Sequence, residues 1–243
     1  MSRASVLAMK HRLDQSVLVR YDWHVRRERD RSMIQRMFGS FRRRAVAILA
    51  VATLASSLVE NTFAAKFNKV VKIGQKAPSW KELIGIDDKK HSLEDWKSKK
   101  LVVVVFTCNH CPVAQAYEKR LIEFTKQYKS KGVAVVAISV SQFEADSFEN
   151  MKQHAEKHKF NFPYLYDKTQ KSARKWGVTR TPQVFVLDQK RNFAYMGAVD
   201  DNMNRSKVTK NYLRDAVDAT LSGKEPEIRE SRQIGCAIDY QAR

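Results

Sequence analysis

An α/β fold built on a central sheet is predicted by three features of the sequence: a wholly apolar run at Leu101–Phe106, an amphipathic stretch directly after it, and a second apolar run over residues 133–140. The first run is mostly valine and unbroken by polar residues, the pattern of a strand covered on both faces. From Pro112, the residues Val113, Tyr117, Leu121, Phe124 and Tyr128 recur at three- and four-residue steps, which predicts a helix that Gly132 ends. Residues 146–158 read as a second helix, so the order is strand, helix, strand, helix. Upstream, Gly74-Gln75-Lys76-Ala77-Pro78 opens the domain, and residues 85–91 read as a hairpin turn before a helix start at Ser92-Leu93. Downstream come a short helix around residues 172–176, a strand at Gln183–Leu187, a turn over 188–191 and a return strand over 193–198. A final helix over 208–221 places Val208, Tyr212, Leu213, Ala216 and Val217 on one face. No internal repeat is present.

With 43% hydrophobic and 29% charged residues in a chain of 243, the composition is that of a soluble globular protein. The net charge of +19 comes from 45 basic and 26 acidic residues. Residues 1–64 hold 12 of the basic and 5 of the acidic ones, so the remainder, with 33 and 21, stays at +12. Its lysines are scattered along amphipathic segments with no nucleic-acid motif beside them, which argues against nucleic acid as a partner. Within residues 37–64, Arg42, Arg43 and Arg44 precede an uncharged run over 45–58, too short to span a bilayer, and small residues at Thr62 and Ala64 follow. This is the layout of a secretory signal cleaved after Ala64, and the expected location is periplasmic or otherwise extracytoplasmic; attachment to a membrane requires the segment to stay uncleaved. The basic, polar extension 1–36 lies where such a signal normally has nothing, so translation is expected to begin at Met33 or Met37. One domain over 72–222 then remains, with a tail over 223–243 that carries Cys236.

The chemistry sits between the first strand and its helix. Cys108-Asn109-His110-Cys111 is a CxxC at a helix start, the setting in which this spacing reads as a redox pair. A two-residue gap brings both sulfurs within bonding reach, while unpaired N–H groups and the helix dipole stabilise a thiolate on the first. Cys108 is therefore the expected nucleophile, exposed and with a lowered pKa, and Cys111 the resolving thiol. Pro112 suits the first helical turn, where its missing N–H costs nothing.

On these residues the sequence resembles the thioredoxin-like superfamily, and within it the redoxin branch of AhpC/TSA and TlpA-like proteins. The resemblance covers about residues 72–222 and rests on the Gly74 to Pro78 opening, the strand-to-CxxC passage, Thr181-Pro182 before a strand, and the element order. It implies a three-layer fold with a mixed sheet, helices on both faces and an N-terminal hairpin extension. It also implies that Pro182 is cis, faces the dithiol and, with Thr181, helps hold an incoming disulfide. The implied activity is thiol–disulfide exchange with protein disulfides or dithiols and a redox partner protein, and no cofactor is expected. His110 beside the second cysteine resembles DsbA-type oxidants, where such a histidine stabilises the thiolate; Asn109 departs from that pattern, since those oxidants have proline there.

Other readings are weaker. A peroxiredoxin would need Pro-x-x-x-Thr/Ser-x-x-Cys, which neither Cys108 nor Cys111 has, so thiol peroxidase activity is the runner-up. A copper or zinc carrier is third, because one CxxC is half a zinc site. A purely structural disulfide removes little entropy from so short a loop. His154 and His158, among Lys152, Glu156, Lys157 and Lys159, read as a solvated face, and Trp80, Trp96 and Trp176 as packing residues. Cys236 is left unpaired and, from its apolar neighbours, reads as a buried, inert thiol docked on the domain; an accessory resolving role and an intermolecular disulfide are the alternatives. N-terminal sequencing of exported protein should give a chain beginning at Ala65, and recovery only of membrane-held protein starting at Met37 or earlier would reverse the signal assignment.

Overall fold

The six residues Leu101–Phe106 form strand β3, all of them buried, and their alternation divides the interior into two layers. The structure, a computed structural model, describes residues 66–242; the basic extension 1–36 and the signal segment 37–64 lie outside the described residues. Val103 and Val105 join one core with Tyr117, Leu121 and Phe124 of helix α1 (Pro112–Tyr128), Met151 and Ala155 of α2 (Phe148–His158), and Leu213, Ala216 and Val217 of α4 (Tyr212–Leu221). Val102, Val104 and Phe106 join the other with Ala173 and Trp176 of α3 (Lys171–Trp176) and with Trp80 and Trp96. Two cores on opposite faces of one strand make a three-layer α/β sandwich, as the resemblance implies.

The sheet is mixed. Strand β4 (Val133–Ser139) runs parallel to β3, and β5 (Tyr164–Tyr166) parallel to β4. On the other side β7 (Gln183–Leu187) is antiparallel to β3, and β8 (Phe193–Gly197) to β7. The N-terminal hairpin, β1 (Leu83–Gly85) and β2 (Lys90–His91), extends the sheet beyond β5, giving the order β2-β1-β5-β4-β3-β7-β8. Arg180–Thr181, β6, stands outside this sheet and pairs with β9 (Cys236–Ala237). Among the described residues no helix is long and apolar enough to cross a membrane.

The tryptophans are core residues, as the sequence suggests. Trp176 lies 5.7 Å from Trp80, 5.7 Å from Phe106, and 5.1 Å from both Phe185 and Phe193 by ring centroids. Its indole N–H donates to the Pro78 carbonyl at 2.8 Å, which fastens the Gly74 to Pro78 opening to this layer.

Two helices start later than their periodicity predicts. The last begins at Tyr212 rather than 208, because Asp201 captures the preceding segment: its carboxylate accepts from the Thr209 amide at 2.9 Å and from the Thr209 hydroxyl. The second begins at Phe148, since residues 144–146 form a separate tight turn that draws Asp146 inward.

The tail that sequence sets apart at Gly223 is woven into the domain. Glu230 accepts from the Phe67 and Asn68 amides at 2.7 Å each, and the Ser231 hydroxyl accepts from the Ala198 amide at 2.9 Å. Replacing Trp176 by Ala should lower the folding free energy by ~3–5 kcal/mol, read as a reduced denaturation midpoint by circular dichroism, because the void borders four aromatic rings.

Candidate active site around the Cys108 and Cys111 dithiol

Strand β3 ends at Phe106, and the Thr107 amide keeps one more bond to the Ile138 carbonyl at 3.0 Å before the chain turns into the CxxC loop. Cys111 is the N-cap of α1: its backbone is extended (φ −74°, ψ 116°) and its Sγ accepts from the Ala114 amide at 3.4 Å. Pro112 takes the first helical position, as predicted.

Both sulfurs meet Thr181. The Thr181 hydroxyl lies 3.3 Å from Cys108 Sγ, and the Thr181 carbonyl lies 3.3 Å from Cys111 Sγ, from which it accepts when that thiol is protonated. The Thr181–Pro182 peptide is cis and both residues are buried.

The sulfurs titrate as a pair. A hydrogen bond from the Cys108 thiol to the Cys111 thiolate is the main cause in each direction: it pulls Cys111 well below the usual thiol range and, together with burial and the charge of Asp146, pushes Cys108 up. This corrects the expectation that Cys108 is exposed with a lowered pKa. Cys108 is only 4% exposed and Cys111 is fully buried, because the C-terminal tail closes over the loop. Cys108 nonetheless lines a narrow cleft of about 20 Å³ bordered by His110, Phe143, Thr181 and Ile238, which Cys111 does not reach.

The loop is held by a residue the sequence did not single out. Asp146 is wholly buried and accepts from the Asn109 amide at 2.6 Å, the His110 amide at 3.1 Å and the Ser141 hydroxyl at 2.6 Å, and it bonds the His110 imidazole through Nδ1. Asn109, which departs from the oxidant pattern, has its own role here. Its side chain donates to the Ala145 carbonyl at 3.2 Å and accepts from Tyr164 at 3.0 Å, while its carbonyl accepts from Gln115 at 2.6 Å. His110 is about one-third exposed, and its ring packs 4.7 Å from Phe143.

Among the described residues, two donor sets have the spacing to hold a metal ion. Cys108, His110 and Asp146 offer ligand atoms within 4.8 Å of one another, as do Glu118, His154 and His158. In the first, Asp146 already bonds the His110 ring while Cys108 lies against Thr181; in the second, the carboxylate bonds both imidazoles. Buried Glu118 accepts or shares protons with His154 at 2.6 Å and His158 at 2.7 Å, and the two rings stack at 4.1 Å. The face read as solvated is thus the seam between α1 and α2: imidazoles one helical turn apart satisfy both oxygens of one buried carboxylate.

Cys236 does dock on the domain, but not as an isolated thiol. It is partly exposed and packs on Cys108, Cys111 and Ala114. Burial, then its hydrogen bond to Cys111 and the charge there, raise its pKa to about 11.

Comparison with known proteins shows the family and the fold. The Redoxin family model matches residues 72–213. An uncharacterised conserved protein from Geobacillus kaustophilus is 34% identical, with a TM-score of 0.68 over 74% of this chain and 98% of its own. A hypothetical protein from Sinorhizobium meliloti 1021 is 30% identical, with a TM-score of 0.67 over 72% of this chain and 98% of its own. A putative thiol:disulfide interchange protein DsbE from Chlorobium tepidum, 21% identical, shares the fold at a TM-score of 0.53 over 62% of this chain and 99% of its own. The search of curated proteins found no match.

A shared proton has a measurable signature. Reduced protein should carry one thiolate across neutral pH by ultraviolet absorbance, formed in a step well below the ordinary value of 9.0, with no second step until above it. Cys111→Ser should abolish the low step, whereas two thiolates appearing together near 9.0 would contradict the arrangement. The unfolded chain keeps this proton up to 9.0 while the folded pair has shed it, so stability of the reduced protein should rise with pH up to 9.0 and be lost as acid reprotonates Cys111. Above 9.0 the slope reverses, because folded Cys108 retains a proton that the unfolded chain releases.

Proposed function

The chain belongs to the Redoxin family, and on that premise we propose that it is a thiol–disulfide oxidoreductase that exchanges disulfides with protein partners through Cys108 and Cys111. The observation that carries this reading is the pair itself: two sulfurs packed in one cluster at the start of α1, both against Thr181.

Access makes Cys108 the attacker, since it alone of the pair opens on the cleft. Transfer of its proton to Cys111 leaves a Cys108 thiolate beside the Thr181 hydroxyl, which donates to it. That thiolate attacks one sulfur of a partner disulfide; the new S–S bond is a mixed disulfide, and the partner's other sulfur leaves as a thiolate that takes a proton from water. Cys111 then gives up its proton, with the Ala114 amide and the helix N-terminus holding the charge, and attacks Cys108 Sγ. The partner leaves with both sulfurs reduced, and the Cys108–Cys111 pair is oxidised by two electrons.

A polypeptide fits the surroundings better than a small ligand. The cleft, about 20 Å³, is far too small for a small-molecule ligand, and Phe143 at its rim is 53% exposed, an apolar foothold beside His110. The apolar run over 45–58 supports export, so the same reading puts this exchange outside the cytoplasm.

Cys111→Ser should leave an attacker that cannot be released, so reductant-sensitive covalent complexes with partner proteins accumulate. Cys108→Ser should form none, and insulin-disulfide reduction should fall to the uncatalysed rate in both variants. Equal trapping by the two variants would contradict the assigned roles, and undiminished insulin reduction by Cys108→Ser would remove the dithiol mechanism.

A further inference from the structure

We propose that Cys236 is a third redox cysteine, one that takes the bond to Cys111 away from Cys108, so that the oxidised protein exchanges between a Cys108–Cys111 and a Cys111–Cys236 disulfide. The proposal rests on the dithiol reading above and names the route by which oxidising equivalents leave that site.

Five features support it. Strand β9 pairs antiparallel with β6 in a register that sets Cys236 opposite Thr181, the residue both active sulfurs touch. Cys236 packs on the cluster of Cys108, Cys111 and Ala114, close enough for its thiol and its backbone N–H to favour charge on the Cys111 sulfur. The approach needs Gly235, because a Cβ there would fall 2.0 Å from the Thr181 carbonyl oxygen. Bonds on either side of Cys236 then fix the strand: Arg180 donates to the Gly235 carbonyl at 2.7 Å, and the Ile238 amide to the Thr179 carbonyl at 3.1 Å. Finally, the three sulfur-bearing residues differ in access. Cys111 is fully buried, Cys108 nearly so, and Cys236 is the one partly open to solvent.

The chemistry is an internal exchange with no net oxidation. Once Cys108 and Cys111 are joined, Cys236 loses its proton and its sulfur attacks Cys111 Sγ. The Cys111–Cys236 bond forms, the Cys108–Cys111 bond breaks, and the electron pair leaves on Cys108, which becomes a free thiolate. In the reduced protein the Cys111 charge helps hold the Cys236 proton on; closing the first disulfide removes that charge, so Cys236 becomes a better nucleophile when it is needed. A partner dithiol can then attack the accessible Cys236 sulfur. Its second thiol resolves the mixed disulfide, leaving the partner oxidised and all three cysteines of the domain reduced.

The test uses the full chain oxidised with diamide and mapped by non-reducing peptide mass spectrometry. Cys108→Ser should close an intramolecular Cys111–Cys236 disulfide and lose both maleimide-reactive thiols while remaining monomeric. Gly235→Val in the otherwise wild-type chain should still close Cys108–Cys111 but lose Cys111–Cys236. Oxidised Cys236→Ser should be re-reduced by dithiothreitol about tenfold more slowly than wild type, the direct route being confined to buried sulfurs. Two free thiols persisting in Cys108→Ser, under conditions that close Cys108–Cys111 in wild type, would overturn the proposal, as would equal re-reduction rates. Failure of wild type to close Cys108–Cys111 would instead strike the dithiol reading, while a Cys111–Cys236 bond in Cys108→Ser would still stand.

Discussion

Burial of β3 on both faces is the constraint from which the site follows. A strand covered by two cores can end only at the rim of the sheet, and its neighbours β4 and β7 fix which rim. The chain must turn there, and the first helical turn that follows brings unpaired N–H groups to the point where Cys108 and Cys111 sit. The fold thus supplies a place where a sulfur can carry charge, before any side chain of the loop is chosen.

The loop itself depends on a second constraint, the buried charge of Asp146. A carboxylate with no exposure is stable only if its lone pairs are occupied, and two loop amides, Ser141 and His110 occupy them. The same contacts have an electrostatic consequence. Asp146 anchors the loop that presents Cys108, yet its negative charge disfavours ionisation of that cysteine. With the charge of the pair resting on Cys111, the reduced protein keeps its attacker protonated until the proton crosses between the sulfurs. Anchoring and restraint are inseparable because one carboxylate does both.

Much of this was legible in the sequence, and the reason lies in periodicity. The valine run of β3, the three- and four-residue rhythm of α1 and the turn residues at Gly132 report burial and backbone geometry directly, and those elements fall where the pattern places them. The CxxC was found by its spacing at a helix start, and Thr181 and Pro182 by the resemblance to the thioredoxin-like superfamily. Asp146 and Asn109 were not, because a polar residue near a helix start reads the same whether it caps the helix in water or turns inward to hold a neighbouring loop. His154 and His158 misled for a related reason: their lysine and glutamate neighbours describe the outer face of α2, while Glu118, the group that draws both rings inward, lies 36 residues away from His154 on α1.

The tail shows where such legibility ends and what takes its place. Gly235-Cys236-Ala237 carries no periodic signal, and its two-residue strand is too short to declare itself. Its position is set instead by steric fit: only a glycine lets the tail backbone lie against the Thr181 carbonyl, and a close backbone approach brings the next side chain against Cys111. The covering strand therefore has two opposed effects. It buries Cys108 and Cys111 and so removes the exposure that a free CxxC at a helix start would have, yet it places a further sulfur where the buried ones can reach it. A cover without a thiol would only slow exchange at the dithiol; a cover bearing Cys236 leaves a covalent path through itself.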